Sequence, residues 1–135
     1  MEKCPALARL LKENPNVLTA NISIIDPRKS IPPHKGPFKG ILRFSLGLSV
    51  PQNGDGQPGV VLTLDGKEYR TGNGESLLWD DTYEHAVLNE TDEHRIVLLL
   101  DVYRPNMPYF FRFLSKVFIK LVALTVKKSE KFNTV

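Results

Sequence analysis

Two histidines are the residues in this chain best suited to bind a metal ion. His34 lies in a proline-rich segment just before an apolar strand pattern, and His85 opens another strand pattern fifty-one residues later. In an antiparallel sandwich two distant strand ends can meet at one mouth, where two imidazoles could hold iron, zinc or copper. The alternative is a structural, hydrogen-bonded role, which is more usual for a single histidine in a β domain. His94 lies between two charged residues in a polar turn, and we expect it to face solvent.

Two arginines have unusual surroundings. Arg43 alternates with large apolar residues along its strand pattern, and Arg95 begins the most apolar strand pattern of the chain. An arginine in such a setting needs an anion, because burying an unpaired guanidinium is costly. The anion is either an internal carboxylate, from Asp80, Asp81 or Asp101, or the carboxylate of a small ligand held by paired hydrogen bonds. Residue types alone leave both alternatives open.

The rest of the chain must position these side chains, and its pattern predicts mostly β structure. Strands are predicted at residues 17–25, 41–50, 60–64, 68–70, 77–80, 84–89 and 95–103. The proline-rich residues 26–40 are predicted to be an extended loop. A short helix is predicted at residues 5–13, and a second helix candidate runs from Tyr109 to Val126. Seven short strands without helical crossovers predict an all-β sandwich or barrel rather than a parallel α/β sheet.

Composition restricts the class of protein. The 135 residues are 41% apolar and 24% charged, which suits one globular domain and argues against a disordered chain or a bundle of membrane spans. The single cysteine, Cys4, excludes a disulfide framework within the chain and a zinc site built from cysteines. No signal peptide is apparent in the charged first fourteen residues, so we expect a cytoplasmic location.

Charge is unevenly distributed. Residues 1–103 carry 11 basic and 14 acidic side chains, whereas residues 104–135 carry 7 basic and 1 acidic. The basic segment lacks the aromatic and basic pattern of an RNA-binding sheet, so no nucleic-acid partner is expected. A membrane surface or an acidic partner suits it better.

Two segments of the sequence resemble the aspartyl/asparaginyl β-hydroxylase family. The first is IPPHKGP at 31–37 with GILRFSLGL at 40–48; the second is WDDTYEH at 79–85, followed by Arg95 and VLLLDVYRP at 97–105. Order and spacing both agree over about residues 4–105. The resemblance implies an all-β double-stranded β-helix (jelly roll) that uses Fe(II), 2-oxoglutarate and O2. The spacing of apolar residues adds a short N-terminal helix and a C-terminal amphipathic helix.

The resemblance also implies a metal site. His34 and His85 would be the iron ligands, and Asp81 would order the loop close to His85 without binding the metal. Most iron oxygenases of this fold add a carboxylate two residues after the first histidine, a position held here by Gly36. The family shows the same absence. The open position leaves halogenation as a less favoured alternative to hydroxylation.

The cosubstrate site is implied in the same way. Arg95 and Ser23 would bind the distal carboxylate of 2-oxoglutarate, and Arg43 would approach the carboxylate that chelates iron. The family often has a histidine where this chain has Ser45, so that cosubstrate contact would be shortened or replaced by water.

The C-terminal segment is the part of the sequence that bears on the class of substrate. We divide the chain into an oxygenase domain, 1–105, and a basic amphipathic segment, 106–135. Residues 109–126 reach about 27 Å as a helix, marginal for a bilayer, and carry charges at Arg112, Lys116 and Lys120. The interior charges favour contact with the membrane surface, peripherally at the inner membrane, over spanning. Packing of this helix on the sandwich or in a dimer is the alternative.

Three functions remain in consideration. The C-terminal segment resembles the end of bacterial lipid A acyl-chain hydroxylases, so the leading expectation is hydroxylation of an unactivated C–H bond in a lipid A acyl chain. The second is hydroxylation of an Asp or Asn residue in a peptide, or of another small polar molecule. The third is a catalytically idle jelly-roll binding module, against which the complete set of His34, His85, Arg43 and Arg95 argues.

Overall fold

Eight strands form two antiparallel four-stranded sheets in this computed structural model, which describes residues 4–115 and 117. The strands are β1 (Val17–Ile25), β2 (Ser30–His34), β3 (Ile41–Ser49), β4 (Val60–Leu64), β5 (Lys67–Arg70), β6 (Ser76–Trp79), β7 (His85–Asn89) and β8 (Arg95–Tyr103). The first sheet has the order β1-β8-β3-β6 and the second β2-β7-β4-β5. Strands consecutive in sequence thus alternate between sheets over much of the chain, which is the jelly-roll arrangement. The all-β jelly-roll prediction is confirmed.

The N-terminal helix α1 (Pro5–Glu13) matches its predicted bounds and contacts β1. Pro5 stands in its first turn, where the missing N–H costs no hydrogen bond. The helix ends where the main-chain N–H of Asn14 donates to the carbonyl of Leu10 at 3.1 Å.

The prediction that residues 26–40 form only a loop is wrong, because residues 30–34 form β2. This strand is at the edge of its sheet and pairs with β7 alone, so prolines without an N–H are tolerated there. Pairing is irregular across Pro32 and Pro33: Ile31 faces Val87, whereas His34 faces His85. One extra residue on β2 makes a β-bulge immediately before His34, and such bulges redirect the side chain that follows.

The β3 strand turns its polar alternate residues inward. Ile41 and Ser45 are buried, and Arg43 between them is partly buried, whereas Leu48 is 48% exposed. Leucine and phenylalanine do alternate with polar residues along β3, but it is the face with Arg43 and Ser45 that is turned toward the space between the sheets. Polar side chains on this inner face can take part in a binding site.

Turn chemistry determines two of the connections. Asp65 and Gly66 link β4 to β5 with φ of 49° and 76°, the left-handed conformation that tight hairpins require, as their sequence predicts. The fully buried Asn89 joins the β1–β2 and β7–β8 turns: its amide donates to Asp26 O at 3.0 Å and Glu93 O at 2.8 Å, and its carbonyl accepts from Thr91. This buried amide fixes the chain just before Arg95.

The chain divides into two compact units, Met1–Tyr103 and Arg104–Val135. In the second unit, residues 109–115 are helical, and Ser115 Oγ donates to Phe111 O at 2.7 Å. Most of the remainder of the predicted 109–126 helix lies outside the described residues. Within the part of the chain that the structure describes, no helix is long and apolar enough to cross a membrane. The predicted boundary after residue 105 stays a prediction.

Candidate functional site

The structure brings His34 and His85 together. They are direct partners across the β2–β7 ladder, and their ring centroids are 4.2 Å apart with the ring planes inclined at 51°. Side chains of direct partners project from the same face of a sheet, so both imidazoles face the first sheet. His85 is buried, whereas His34 is exposed at the mouth.

Hydrogen bonds select the ring nitrogen that each histidine offers. Nδ1 of His34 lies 2.9 Å from the carbonyl of Pro32, and Nδ1 of His85 lies 2.9 Å from the carbonyl of Tyr83. A carbonyl oxygen only accepts, so each Nδ1 carries the hydrogen, and in the neutral imidazole Nε2 then has the free lone pair. Metal-binding imidazoles are typically held in this way by their second nitrogen.

Both imidazoles line a cavity of about 100 Å³ between the two sheets. Its walls combine the predicted polar side chains with aliphatic ones: Ser23, Ile25, Ile31, His34, Arg43, Leu62, Trp79, His85, Val87, Arg95 and Leu99. Ser45 is buried on the inner face of β3 but does not line the cavity, and neither does Asp81. His94 is 3.4 Å from Asp26 in an exposed pair, away from the cavity.

Arg95 is a buried cation without an internal anion. Its residue is 9% exposed, its Nε has no hydrogen-bond partner, and no carboxylate of the described residues forms an ion pair with it. Burial lowers the pKa of the guanidinium to about 10. The group is therefore still charged at neutral pH, and a carboxylate brought into the cavity would supply the anion that it lacks.

Arg43 differs, because the protein supplies its anions. Its Nε donates to Asp101 Oδ1 at 3.1 Å, and one terminal nitrogen lies 3.4 Å from Asp81 Oδ2. Thr19 Oγ1 donates to the second oxygen of Asp101 at 2.7 Å. The sequence left two alternatives open for these arginines. The internal ion pair is found at Arg43, whereas Arg95 is buried without an internal anion, as expected for a group that binds the carboxylate of a ligand. The predicted contact of Arg43 with an iron-bound carboxylate stays a prediction.

Asp81 occupies the space beside Gly36. A side chain at Gly36 would collide with the Asp81 carboxylate, and the Gly36 N–H donates to the Asp81 carbonyl at 2.7 Å. Asp81 is 2% exposed, and burial raises the pKa of its carboxyl although Arg43 acts in the opposite direction. Glycine is thus required here by packing, and it leaves the β2–β3 segment without a carboxylate ligand.

The donors fit a ferrous ion bound with a chelating cosubstrate. Among the described residues, no group of three or more His, Cys, Asp or Glu side chains could hold a metal ion, so the protein offers two imidazole nitrogens. Imidazole suits iron, and a bidentate keto acid would complete a site with so few protein ligands. Arg95, unpaired on the opposite wall of the same cavity, would hold the far carboxylate of such a ligand.

Trp79 was not predicted as a site residue. It lines the cavity, its ring lies edge-on to His85 with centroids 6.4 Å apart, and its buried Nε1 has no hydrogen-bond partner among the described residues. The available signal was that the only tryptophan of the chain directly precedes Asp80 and Asp81.

Comparison with known proteins identifies the family. The family described as aspartyl/asparaginyl beta-hydroxylase matches residues 1–105. The chain is 36% identical over 105 residues to an ornithine lipid ester-linked acyl 2-hydroxylase from Rhizobium tropici, covering 78% of this chain and 36% of the relative. It is 32% identical over 114 residues to the human aspartate beta-hydroxylase domain-containing protein 2, covering 78% of this chain and 29% of that protein.

The fold is shared more widely. A predicted oxalate decarboxylase from Thermotoga maritima superimposes with a TM-score of 0.52 at 16% identity, over 67% of this chain and 70% of its own. That likeness concerns the jelly roll alone. The chain spans about a third of the length of the two sequence relatives named above. The family match over most of the chain decides the assignment: this chain belongs to the aspartyl/asparaginyl beta-hydroxylase family.

Proposed function

We propose that this chain is an Fe(II)- and 2-oxoglutarate-dependent hydroxylase that acts on an acyl chain of a lipid. The observation that carries the proposal is the unpaired, buried Arg95 in the same cavity as two imidazoles with free Nε2 atoms. Two imidazoles that can bind a metal, beside the guanidinium of Arg95 that has no anion, suit a ligand that chelates the metal at one end and is anionic at the other. 2-Oxoglutarate has that chemistry.

The residues of the chain hold and orient the reactants. His34 and His85 would bind iron through Nε2, and Arg95 with Ser23 would hold the distal carboxylate of 2-oxoglutarate. When bound, the metal and cosubstrate use O2 to convert a C–H bond to C–OH, with succinate and carbon dioxide as coproducts. Five aliphatic side chains (Ile25, Ile31, Leu62, Val87 and Leu99) line the same cavity and exclude water from the reacting carbon.

A lipid acyl chain is the preferred substrate for two reasons. The relative from Rhizobium tropici is described as an acyl 2-hydroxylase of ornithine lipid. The aliphatic part of the cavity suits a hydrocarbon chain. The sequence-based choice of lipid A is one member of this class. Contact of the basic residues 109–126 with the inner membrane surface belongs to the same proposal.

A second candidate is hydroxylation of an Asp or Asn side chain, which the family description favours. The two candidates differ in product, because one adds oxygen to a lipid and the other to a peptide. Mass spectrometry of lipid and peptide substrate panels, searched for the gain of one oxygen, separates them.

The reaction class is tested by succinate formation from 2-oxoglutarate with Fe(II) under air. His34→Ala and His85→Ala should each abolish it, including turnover without substrate, whereas the exposed His94→Ala should leave it intact. Arg95→Ala should raise the KM for 2-oxoglutarate by at least about tenfold, the value of one charged hydrogen bond or more. Turnover that survives loss of either cavity histidine contradicts the proposal.

A further inference from the structure

The strand register separates the cavity into two ends. Arg95 begins β8, and Asp101 lies six residues further along the same strand, about 20 Å away at the usual rise. Asp101 pairs with Arg43 on β3, and Arg43 pairs with Trp79 on β6. We call this row the Trp79 end (Asp101, Arg43 and Trp79). Under the proposed function, 2-oxoglutarate occupies the Arg95 side, which leaves the Trp79 end for the substrate.

The Trp79 end carries no surplus positive charge. Its only described cation, Arg43, faces two carboxylates: Asp101 at 3.1 Å and Asp81 at 3.4 Å. With Asp81 neutral the three groups sum to zero, and with Asp81 ionised they sum to minus one. In neither state do these groups carry a net positive charge, so the carboxylate of an Asp side chain or of a free fatty acid substrate would meet no unpaired cation among them.

The Trp79 end does contain an unused hydrogen-bond donor. The indole Nε1–H is buried and has no partner among the described residues, although the ring lies beside the metal-binding His85. A buried donor without an acceptor is unfavourable, and indole can only donate. An uncharged hydrogen-bond acceptor that binds next to His85 would give the indole N–H a partner and remove this cost.

We propose that Trp79 selects the substrate by donating a hydrogen bond to an uncharged carbonyl, of an ester or amide, next to the carbon that is hydroxylated. The inference rests on the proposed function for the location of the reaction, and it deepens that function by naming the functional group recognised. An acyl chain linked through an ester or amide has such a carbonyl, and the corresponding free acid has a carboxylate instead.

The test compares two probes of equal chain length, methyl octanoate and octanoate. Both are titrated by calorimetry into the Zn(II)-loaded chain with N-oxalylglycine, an inert analogue of 2-oxoglutarate, so that no turnover intervenes. The ester should bind at least about tenfold more tightly than the carboxylate, as expected for one well-placed hydrogen bond. Because Trp79 is the only tryptophan, the ester should also change the intrinsic fluorescence.

Variants assign the effect to the indole N–H. Trp79→Phe keeps an aromatic ring without the donor and should weaken ester binding about tenfold while leaving octanoate binding unchanged. Tyr69→Phe, which removes a hydroxyl outside the cavity, is the matched control and should change neither. The comparison of probes in the unaltered chain stands even if Trp79→Phe does not fold.

Each remaining outcome has a definite meaning. Octanoate binding as tightly as the ester, binding of neither probe, or an unchanged ester affinity in a folded Trp79→Phe variant overturns the inference. Failure of N-oxalylglycine to bind the Zn(II)-loaded chain overturns the proposed function instead. The ester preference is then measured without the analogue.

Discussion

Replacing Arg95 with methionine should make the ligand-free protein more stable and weaken its response to the cosubstrate. Arg95 is 9% exposed and has no anion among the described residues, so its charge opposes folding until a ligand arrives. Methionine has a similar length, fills the same space and carries no charge. Replacement of buried charged groups by apolar residues of similar volume is often neutral or stabilising.

The magnitude follows from the pKa of Arg95. Burial lowers it from the ordinary arginine value to about 10. Because one pKa unit corresponds to 1.36 kcal/mol, the charge destabilises the folded state by roughly 3 kcal/mol. For a domain of this size, that raises the melting temperature of Arg95→Met by on the order of 10 °C. The pH dependence has a definite sign. The penalty is present in full below pH 10 and decreases as the pH rises above it, because the folded state releases the proton first.

The assay is thermal or urea unfolding of the Zn(II)-loaded chain with and without N-oxalylglycine. At a hundred times its dissociation constant the analogue should stabilise the unaltered chain by about 2.7 kcal/mol. Because binding to Arg95→Met should be at least about tenfold weaker, the same concentration should stabilise that variant by at most about 1.4 kcal/mol. Arg70→Met is the matched control. Arg70 donates to Glu90 and Pro58 at 2.9 Å, so its loss should destabilise the fold. A less stable Arg95→Met variant, or one that keeps the full response to the analogue of about 2.7 kcal/mol, would refute the reasoning.

Three further predictions concern the supports of the site. Gly36→Ala should lower the free energy of unfolding in urea by about 1–3 kcal/mol, because the new methyl group collides with the Asp81 carboxylate. Adding Asp81→Ala should recover part of that loss. A Gly36→Ala variant as stable as the unaltered chain contradicts the packing argument. Asn89→Ala should cost about 3 kcal/mol, since all five hydrogen bonds of this buried amide are lost, whereas Thr91→Val should cost less. Removal of metal by a chelator should lower the melting temperature of the unaltered chain but not of His85→Ala; an equal response of both would place the metal elsewhere.

Local patterns predicted most of the strands. The bounds of β1, β4 and β8 agree with the prediction, and the Asp65-Gly66 turn forms the expected hairpin. These elements depend on period-two alternation and on turn residues, which act within a few positions. The β2 strand was missed because proline weighs against a strand locally. Its position at a sheet edge, which makes proline acceptable, follows from the pairing with β7.

Motif spacing identified the polar residues of the site but not their partners. His34, His85, Arg43 and Arg95 were singled out by type and position, and all four line one cavity. The different environments of Arg43 and Arg95 were not visible in the sequence. They depend on a register that places Asp101 opposite Arg43 across fifty-eight residues of chain and places Ile25 opposite Arg95.

The amino-acid sequence by itself determined the residue types, the alternation that makes strands and the family to which this chain belongs. Only the tertiary structure decided which imidazole nitrogens remain free, which arginine is already neutralised and why position 36 has no side chain. The physical reason is the distance along the chain over which each effect acts. Alternation and turn preferences act between residues that are close in sequence. Hydrogen bonds, ion pairs and steric exclusion act across a few ångströms of space between residues brought together by the pairing of distant strands.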